Sequence, residues 1–260
     1  MPMLKLKLIL LSPYWAYKNR RARIIAKKAK KDIDRFPESF QWNYVMRRTK
    51  KVLKALNAKL EIIGYDNLPK GAALLIPNHQ SNLDIPSLIN AMHKQSFEEG
   101  VEHKKCRFIA KKELESKRSL RGWMNLTSSI YIDRNNPREA LKALNKFGKD
   151  IKKANEYGVI FPEGTRTKTG KLQDFQAGAF KLAKQEFLPI VPVIINGTKQ
   201  LENLNRRGKT KFQIIFEKPI KAMSIMSQPN EKIAERVKNI IEKKYKPFEY
   251  KKKSGKKIFK

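Results

Sequence analysis

From about residue 60 onward, short apolar runs alternate with longer amphipathic stretches. Residues 60–63, 72–76, 107–110, 129–132, 159–161, 190–195 and 211–217 carry the apolar or alternating patterns of strands. Between them, a helical spacing of apolar positions predicts helices over 84–92, 111–120, 137–154 and 177–184. The third is the most strongly marked. Pro137 suits a first helical position, Ala140, Leu141, Leu144, Phe147 and Ile151 form one stripe, and Gly158 follows its end. Strand–helix alternation predicts an α/β fold, with a largely parallel central sheet of about seven strands flanked by helices. In such sheets, sites gather beyond the C-terminal ends of the strands.

The first 58 residues follow a different rhythm and predict an N-terminal basic amphipathic two-helix element. An apolar start (Leu4, Leu6, Leu8, Ile9, Leu10, Leu11) leads through Trp15 and Tyr17 into a basic helix over 20–31. After the break at Phe36-Pro37, a second pattern places Trp42, Val45, Met46, Val52, Leu53 and Leu56 on one face. Arg47, Arg48, Lys50, Lys51 and Lys54 occupy the others. Basic amphipathic helices of this kind lie in membrane interfaces, so the element is expected to dock there. The competing expectation is that the stripe packs on the domain while the lysines stay in water. The resulting layout is a docking element over 1–58, an α/β domain over 59–245 and a Lys-rich tail over 246–260. Residues 93–105 read as a hydrophilic insertion whose His93 and His103 lack ligand spacing and are solvated.

Charge narrows the range of partners. The formal net charge is +34 in 260 residues, with a mean hydropathy of −0.61. Such an excess attracts polyanions: an anionic bilayer, nucleic acid or an acidic protein. No recognised nucleic-acid motif accompanies it, so a nucleic-acid partner is not expected. A single cysteine, Cys106, excludes an intrachain disulfide and a Cys-rich metal site. No run approaches the roughly 20 apolar residues of a membrane span, so the expected location is peripheral.

Candidate chemistry starts where the apolar run at 72–76 ends. His79 follows within three residues, and Asp84 stands five further on, where a helix can begin. Histidine moves protons near neutral pH, and a carboxylate can hold its ring in one tautomer. Three His and seven Asp in this chain give roughly 0.08 chance pairs at that spacing, so the pair alone is only a hypothesis. No Gly-x-Ser-x-Gly elbow accompanies it, which points to a substrate hydroxyl as the nucleophile.

A second element, Phe161-Pro162-Glu163-Gly164-Thr165-Arg166, turns sharply after a strand. Its amides, hydroxyl and guanidinium suit a phosphate, and Glu163 either orients Arg166 or meets a substrate hydroxyl. Tyr131-Ile132-Asp133-Arg134 ends another strand with an acid and a guanidinium side by side, by default an ion pair. Lys111 and Lys112 add positive potential after the strand at 107–110. The run at 190–195, apolar throughout, fits buried core or the wall of an acyl pocket.

Together these residues resemble the glycerolipid acyltransferase family, in particular its bacterial 1-acyl-sn-glycerol-3-phosphate acyltransferases. Four blocks stand in the family's order: Asn78-His79 through Asp84, Tyr131 through Arg134, Phe161 through Arg166, and Val191-Pro192-Val193-Ile194. The resemblance spans about 60–217, and the N-terminal helical pair is similar to the family's membrane-docking element. It implies transfer of a fatty acyl chain from a thioester, on coenzyme A or an acidic acyl carrier protein, to lysophosphatidic acid. In that reading His79 is the general base and Asp84 its orienting partner. Glu163, Gly164, Thr165 and Arg166 hold the acceptor phosphate, with Arg134 and Lys111 assisting. Amides at the start of the helix after His79 are expected to hold the tetrahedral oxyanion. No metal and no cofactor is expected. Glycerol 3-phosphate or another lysophospholipid is the alternative acceptor. A basic nucleic-acid binder and a silent membrane scaffold are the alternatives from other classes. Ser129, Thr167 and the lysine-free stretch Phe175-Gln176-Ala177-Gly178 depart from the common pattern.

Overall fold

The computed structural model describes residues 3–95 and 103–248, with the backbone of 250–253 and 256–259. Seven strands form one sheet: β1 (Ala58–Ile63), β2 (Ala73–Pro77), β3 (Cys106–Lys111), β4 (Ile130–Ile132), β5 (Tyr157–Val159), β6 (Ile190–Asn196) and β7 (Thr210–Phe216). Their order is β1-β7-β6-β2-β5-β3-β4. β1 pairs parallel with β7, β7 pairs antiparallel with β6, and the remaining pairs are parallel. β1 and β7 therefore run against the other five. Two short strands in the tail, β8 (Tyr250–Lys253) and β9 (Lys256–Phe259), pair with each other.

Period-two patterning fills two layers. In β2, Ala73 and Leu75 face a core shared with α2 (Ser12–Ala29), α3 (Glu38–Ala55), α4 (Asp84–Ala91) and α5 (Arg118–Leu126). Leu74 and Ile76 face the opposite core, shared with α6 (Pro137–Ala154), α7 (Gly178–Gln185) and α8 (Asn230–Glu242). Every residue of β2 and β6 is buried. That is why both read as unbroken apolar runs, and why the run at 190–195 is core. Each fully buried aliphatic side chain contributes about 1.5–3 kcal/mol.

α6 begins and ends where its sequence predicts. The Asn136 side chain accepts from the Glu139 amide at 3.2 Å, and Asn155 closes the helix at φ 54°. Having turned there, the chain joins the sheet at Tyr157, so β5 lies two residues earlier than the apolar run at 159–161 suggests. The helix expected over 111–120 is displaced. Residues 112–114 make a single 3-10 turn, Lys117 is extended, and α5 starts at Arg118. Leu114 is the only apolar side chain from 111 to 117, too little to bury a helical face. α8 was not anticipated, although Ile233, Ala234, Val237 and Ile241 give it a buried stripe.

The N-terminal stripe is corrected more sharply. Trp42, Val45, Met46, Leu53 and Leu56 are 1–7% exposed, with the first three inside the main core. They pack on the domain and cannot face lipid. α1 (Met3–Leu10) instead exposes Met3, Leu6, Ile9 and Leu10. Among the described residues, no helix is long and apolar enough to cross a membrane. In the insertion, of which 96–102 lie outside the described residues, the histidines meet each other. Their ring centroids are 4.2 Å apart, and His103 is half-buried, accepting from the Lys94 amide.

Candidate active site

β2 ends in Pro77, which has no N–H to continue a ladder. Asn78 takes over with its side chain: Nδ2 donates to the Ile195 carbonyl at 3.0 Å, and Oδ1 accepts the Ile195 amide at 2.7 Å. This tie to β6 sets the chain's direction for the next residue. The His79 ring stacks on Phe161, centroids 4.1 Å apart, and keeps 16% of its side chain exposed. Its Nδ1 lies 2.7 Å from Oδ2 of Asp84. A carboxylate oxygen only accepts, so Nδ1 carries the proton and Nε2 keeps its lone pair.

Asp84 opens α4 with no exposed surface, which demands full pairing of its charge. Oδ2 accepts from the Gln80 and Ser81 amides at 2.7 and 2.9 Å as well as from His79. Oδ1 accepts from the Thr198 hydroxyl at 2.5 Å. Thr198 stands just past the end of β6, after Gly197 at φ 86°, a turn where glycine is favoured. Around this loop, the Ser81 hydroxyl donates to Glu202, which also pairs with Lys199 at 2.5 Å. Burial works against the Glu202 charge, yet the hydrogen bonds from Lys199 and Ser81 hold its carboxyl below the usual range.

Most of the amides leading into the helix after His79, where an oxyanion was expected to be held, already have acceptors. The His79 amide donates to Glu163, and those of Gln80 and Ser81 donate to Asp84. The Leu83 amide donates to the Ser81 hydroxyl, and the Asp84 amide to the Ser81 carbonyl. Among the six N–H groups from 79 to 84, five are thus paired within the protein.

Glu163 likewise differs from its expected role. Its carboxylate is buried beneath the loop, where Oε1 accepts the His79 amide at 2.6 Å. Oε2 accepts the Gln173 amide and side chain at 3.1 and 3.2 Å. It meets neither Arg166 nor open space, because a carboxylate this deep needs donors around it. Burial pushes its pKa up, opposed by those same donors. The tie runs both ways, since the Thr167 amide donates to the His79 carbonyl at 2.9 Å. Thr167 also closes the loop, its hydroxyl donating to the Lys171 carbonyl and accepting from the Gly170 amide.

Gly164, at φ 69°, lets Arg134 lie across the turn. Nη1 donates to the Gly164 carbonyl at 2.8 Å, and a Cβ at Gly164 would stand 3.1 Å from that nitrogen. The ion pair expected between neighbours Asp133 and Arg134 is therefore absent. Arg134 reaches the loop, and Asp133 lies 3.5 Å from Lys112. Thr165, Arg166 and Lys111 are exposed, the first two on the loop and Lys111 at the end of β3, in register with Ile132. Hydrogen bonds and chain adjacency thus join His79, Asp84, Glu163, Gly164 and Arg134, while Thr165 and Arg166 project from the same turn. Asn78, Gln173, Thr198 and Glu202 were not singled out as site residues. Only the Gly-Thr turn after β6 offered a trace of one.

Comparisons with known proteins bear on the family and the fold. A family model described as Acyltransferase matches residues 59–196, which contain all four blocks. The probable 1-acyl-sn-glycerol-3-phosphate acyltransferase of Mycoplasma pneumoniae is 31% identical over 253 residues, covering 92% of this chain and 91% of that one. The 1-acyl-sn-glycerol-3-phosphate acyltransferase of Saccharomyces cerevisiae is 34% identical over 190 residues, 71% of this chain and 59% of that one. The fold is shared with the crystal structure of the 1-acyl-sn-glycerophosphate acyltransferase PlsC from Thermotoga maritima. The TM-score there is 0.70 at 22% identity, over 93% of this chain and 95% of that one. With the matched segment covering the histidine, the arginine loop and the strand that anchors Thr198, the chain belongs to the acyltransferase family.

Proposed function

We propose that this chain transfers a fatty acyl group from a thioester to the sn-2 hydroxyl of 1-acyl-glycerol 3-phosphate, forming phosphatidic acid. The relatives named above are 1-acyl-sn-glycerol-3-phosphate acyltransferases. The observation that carries the reading is the His79–Asp84 contact at 2.7 Å beside an exposed cationic loop. Nε2 of His79 takes the hydroxyl proton as the oxygen attacks the thioester carbonyl. The tetrahedral intermediate then expels the thiolate, which takes that proton from the imidazolium. Asp84 stabilises the charged ring, a base contribution that typically reaches 10²–10⁴-fold. Arg166, with the Gly164–Thr165 turn, Arg134 and Lys111, supplies positive potential for the acceptor phosphate. Glu163 supports that loop from behind. Both thioester carriers, coenzyme A and an acyl carrier protein, are acidic and suit the net charge of +34.

The chain would work as a peripheral protein on the inner face of the cell membrane, with the exposed residues of α1 entering the interface. α3 begins far from the site, beside Cys106, and ends at Ala55, next to the start of β1. That start lies at the same edge as the C-terminal ends of β2 and β6, so α1 and the site share one side. The Lys7 ammonium holds α1 there through the Asn57 side chain at 3.0 Å.

The test is His79→Ala in the full chain. Activity with lysophosphatidic acid and either thioester is expected to fall about 10³-fold in protein that is still folded at the assay temperature, as checked by thermal unfolding. Retention of activity within threefold sinks the base assignment. A panel of glycerol 3-phosphate and other lysophospholipids against both donors, with products identified by mass, fixes acceptor and donor.

A further inference from the structure

Away from the site, an unbalanced cluster of charge lies between the arms of the N-terminal hairpin. Residues 1–31 and 39–60 contain no Asp or Glu. Lys18 is nevertheless only 9% exposed, with its ammonium 5.1 Å from the Tyr14 ring centroid and 4.6 Å from that of Tyr17. From α3, Arg48 Nη1 donates to the Tyr14 hydroxyl at 2.6 Å, and its guanidinium lies 5.0 Å over Tyr44. The Lys51 ammonium is 5.7 Å from the Tyr14 ring. Among the described residues, no carboxylate lies within ion-pair distance of Lys18, Arg48 or Lys51. Burial raises the Tyr14 pKa, yet Lys51, Arg48 and Lys18 outweigh it and bring the phenol below its ordinary range.

Three cations gathered on one phenol repel each other, and aromatic faces offset only part of that repulsion. Buried charge is ordinarily paired, and here the counter-charge is missing from the chain. The position indicates its source. Leu11 keeps helical dihedrals, with φ −83° and ψ −6°, so α1 and α2 follow one another almost without a break. Tyr14 is four residues from exposed Leu10, about 6 Å along a helix axis. Interfacial helices bury their apolar face about 5–10 Å into the headgroup boundary. A cluster one turn further along a helix lying in that plane stays at the interface, where the available anion is a lipid phosphate.

We infer that Lys18, Arg48 and Lys51, framed by Tyr14 and Tyr17, form a seat for the phosphate of one anionic phospholipid. This rests on the proposal that α1 enters the membrane interface, but it requires a discrete site rather than diffuse attraction. The experiment compares two variants of equal charge loss in the full chain. K18Q/R48Q/K51Q removes the seat. K27Q/K28Q/K30Q removes three exposed lysines of the same hairpin. Affinity is measured by co-sedimentation with phosphatidylcholine vesicles containing 30 mol% phosphatidylglycerol. The seat variant is expected to lose at least tenfold and the control less than threefold. Equal losses overturn the seat while leaving membrane docking intact. A parent chain that does not bind vesicles overturns both. Displacement of bound chain by inorganic phosphate at constant ionic strength assigns the seat to free phosphate and overturns the lipid source. If the triple variant fails to fold, exposed Lys51→Gln against Lys27→Gln makes the same comparison, with about a threefold loss expected for the first alone.

Discussion

The Asp84 side of the site and the Arg134–Arg166 rim stand on neighbouring strand ends, but differ in how many of their polar groups are already paired. Around Asp84, both carboxylate oxygens, the hydroxyls of Ser81 and Thr198 and the amides of His79, Gln80, Ser81, Leu83 and Asp84 all have partners. On the rim, Thr165, Arg166 and Lys111 point into solvent. The first arrangement fixes one orientation of the His79 ring against a buried carboxylate in a low-dielectric setting, as the proposed proton transfer requires. The second leaves donors free for an incoming anion, where salt screens them. Substitutions on the buried side should therefore change turnover, and those on the rim should change binding.

The largest test of that contrast is Asp84→Asn. With shape kept and charge lost, kcat is expected to fall about 10³–10⁴-fold with KM within threefold, measured by steady-state kinetics. A loss confined to KM would erase the distinction between the two sides. Next comes Arg166→Ala, expected to raise KM for the acceptor roughly 10–100-fold at nearly constant kcat, the range of a charged hydrogen bond. The remaining KM should also depend less on salt. A kcat effect larger than the KM effect would move Arg166 into the chemical step. The smallest is Thr198→Val, which strands Oδ1 of Asp84. About three- to tenfold is expected from kcat, with a stability cost of about 1–3 kcal/mol, both restored by Thr198→Ser. Full activity in the valine variant would show that Asp84 needs only the donors on Oδ2.

Much of the fold was legible because burial leaves a periodic trace. All seven sheet strands lie within a residue or two of their apolar runs, and α6 was readable from its Pro137 start and its stripe. A stripe, however, states that a face is buried without stating against what. Trp42, Val45 and Met46 look the same whether they meet lipid or the underside of a sheet, and the structure places them in the core. The residue types of the candidate site were legible for a different reason, since imidazole, carboxylate and guanidinium each carry a chemistry. Their wiring was not. Hydrogen bonds from the 79–84 amides, the clasp of Thr198 on Asp84 and the burial of Glu163 under its loop arise where distant strand ends meet. Separations in the chain reach 114 residues, and no local pattern encodes them. The neighbours Asp133 and Arg134 show the reverse error, where adjacency suggested a pair and the backbone sent the side chains apart.

The exchange between His79 and the 163–167 loop has a mechanical consequence. Each segment gives one backbone hydrogen bond to the other, Glu163 receiving the His79 amide and Thr167 reaching the His79 carbonyl. The His79 segment and the 163–167 turn are consequently tied into a single jaw. Neither can swing aside to admit a bulky lipid without breaking both bonds and stranding a buried carboxylate. In the proposed reaction, whatever opens for a two-tailed product to leave would hinge elsewhere, and the His79–Asp84 geometry would be carried through the cycle without being rebuilt at each turnover.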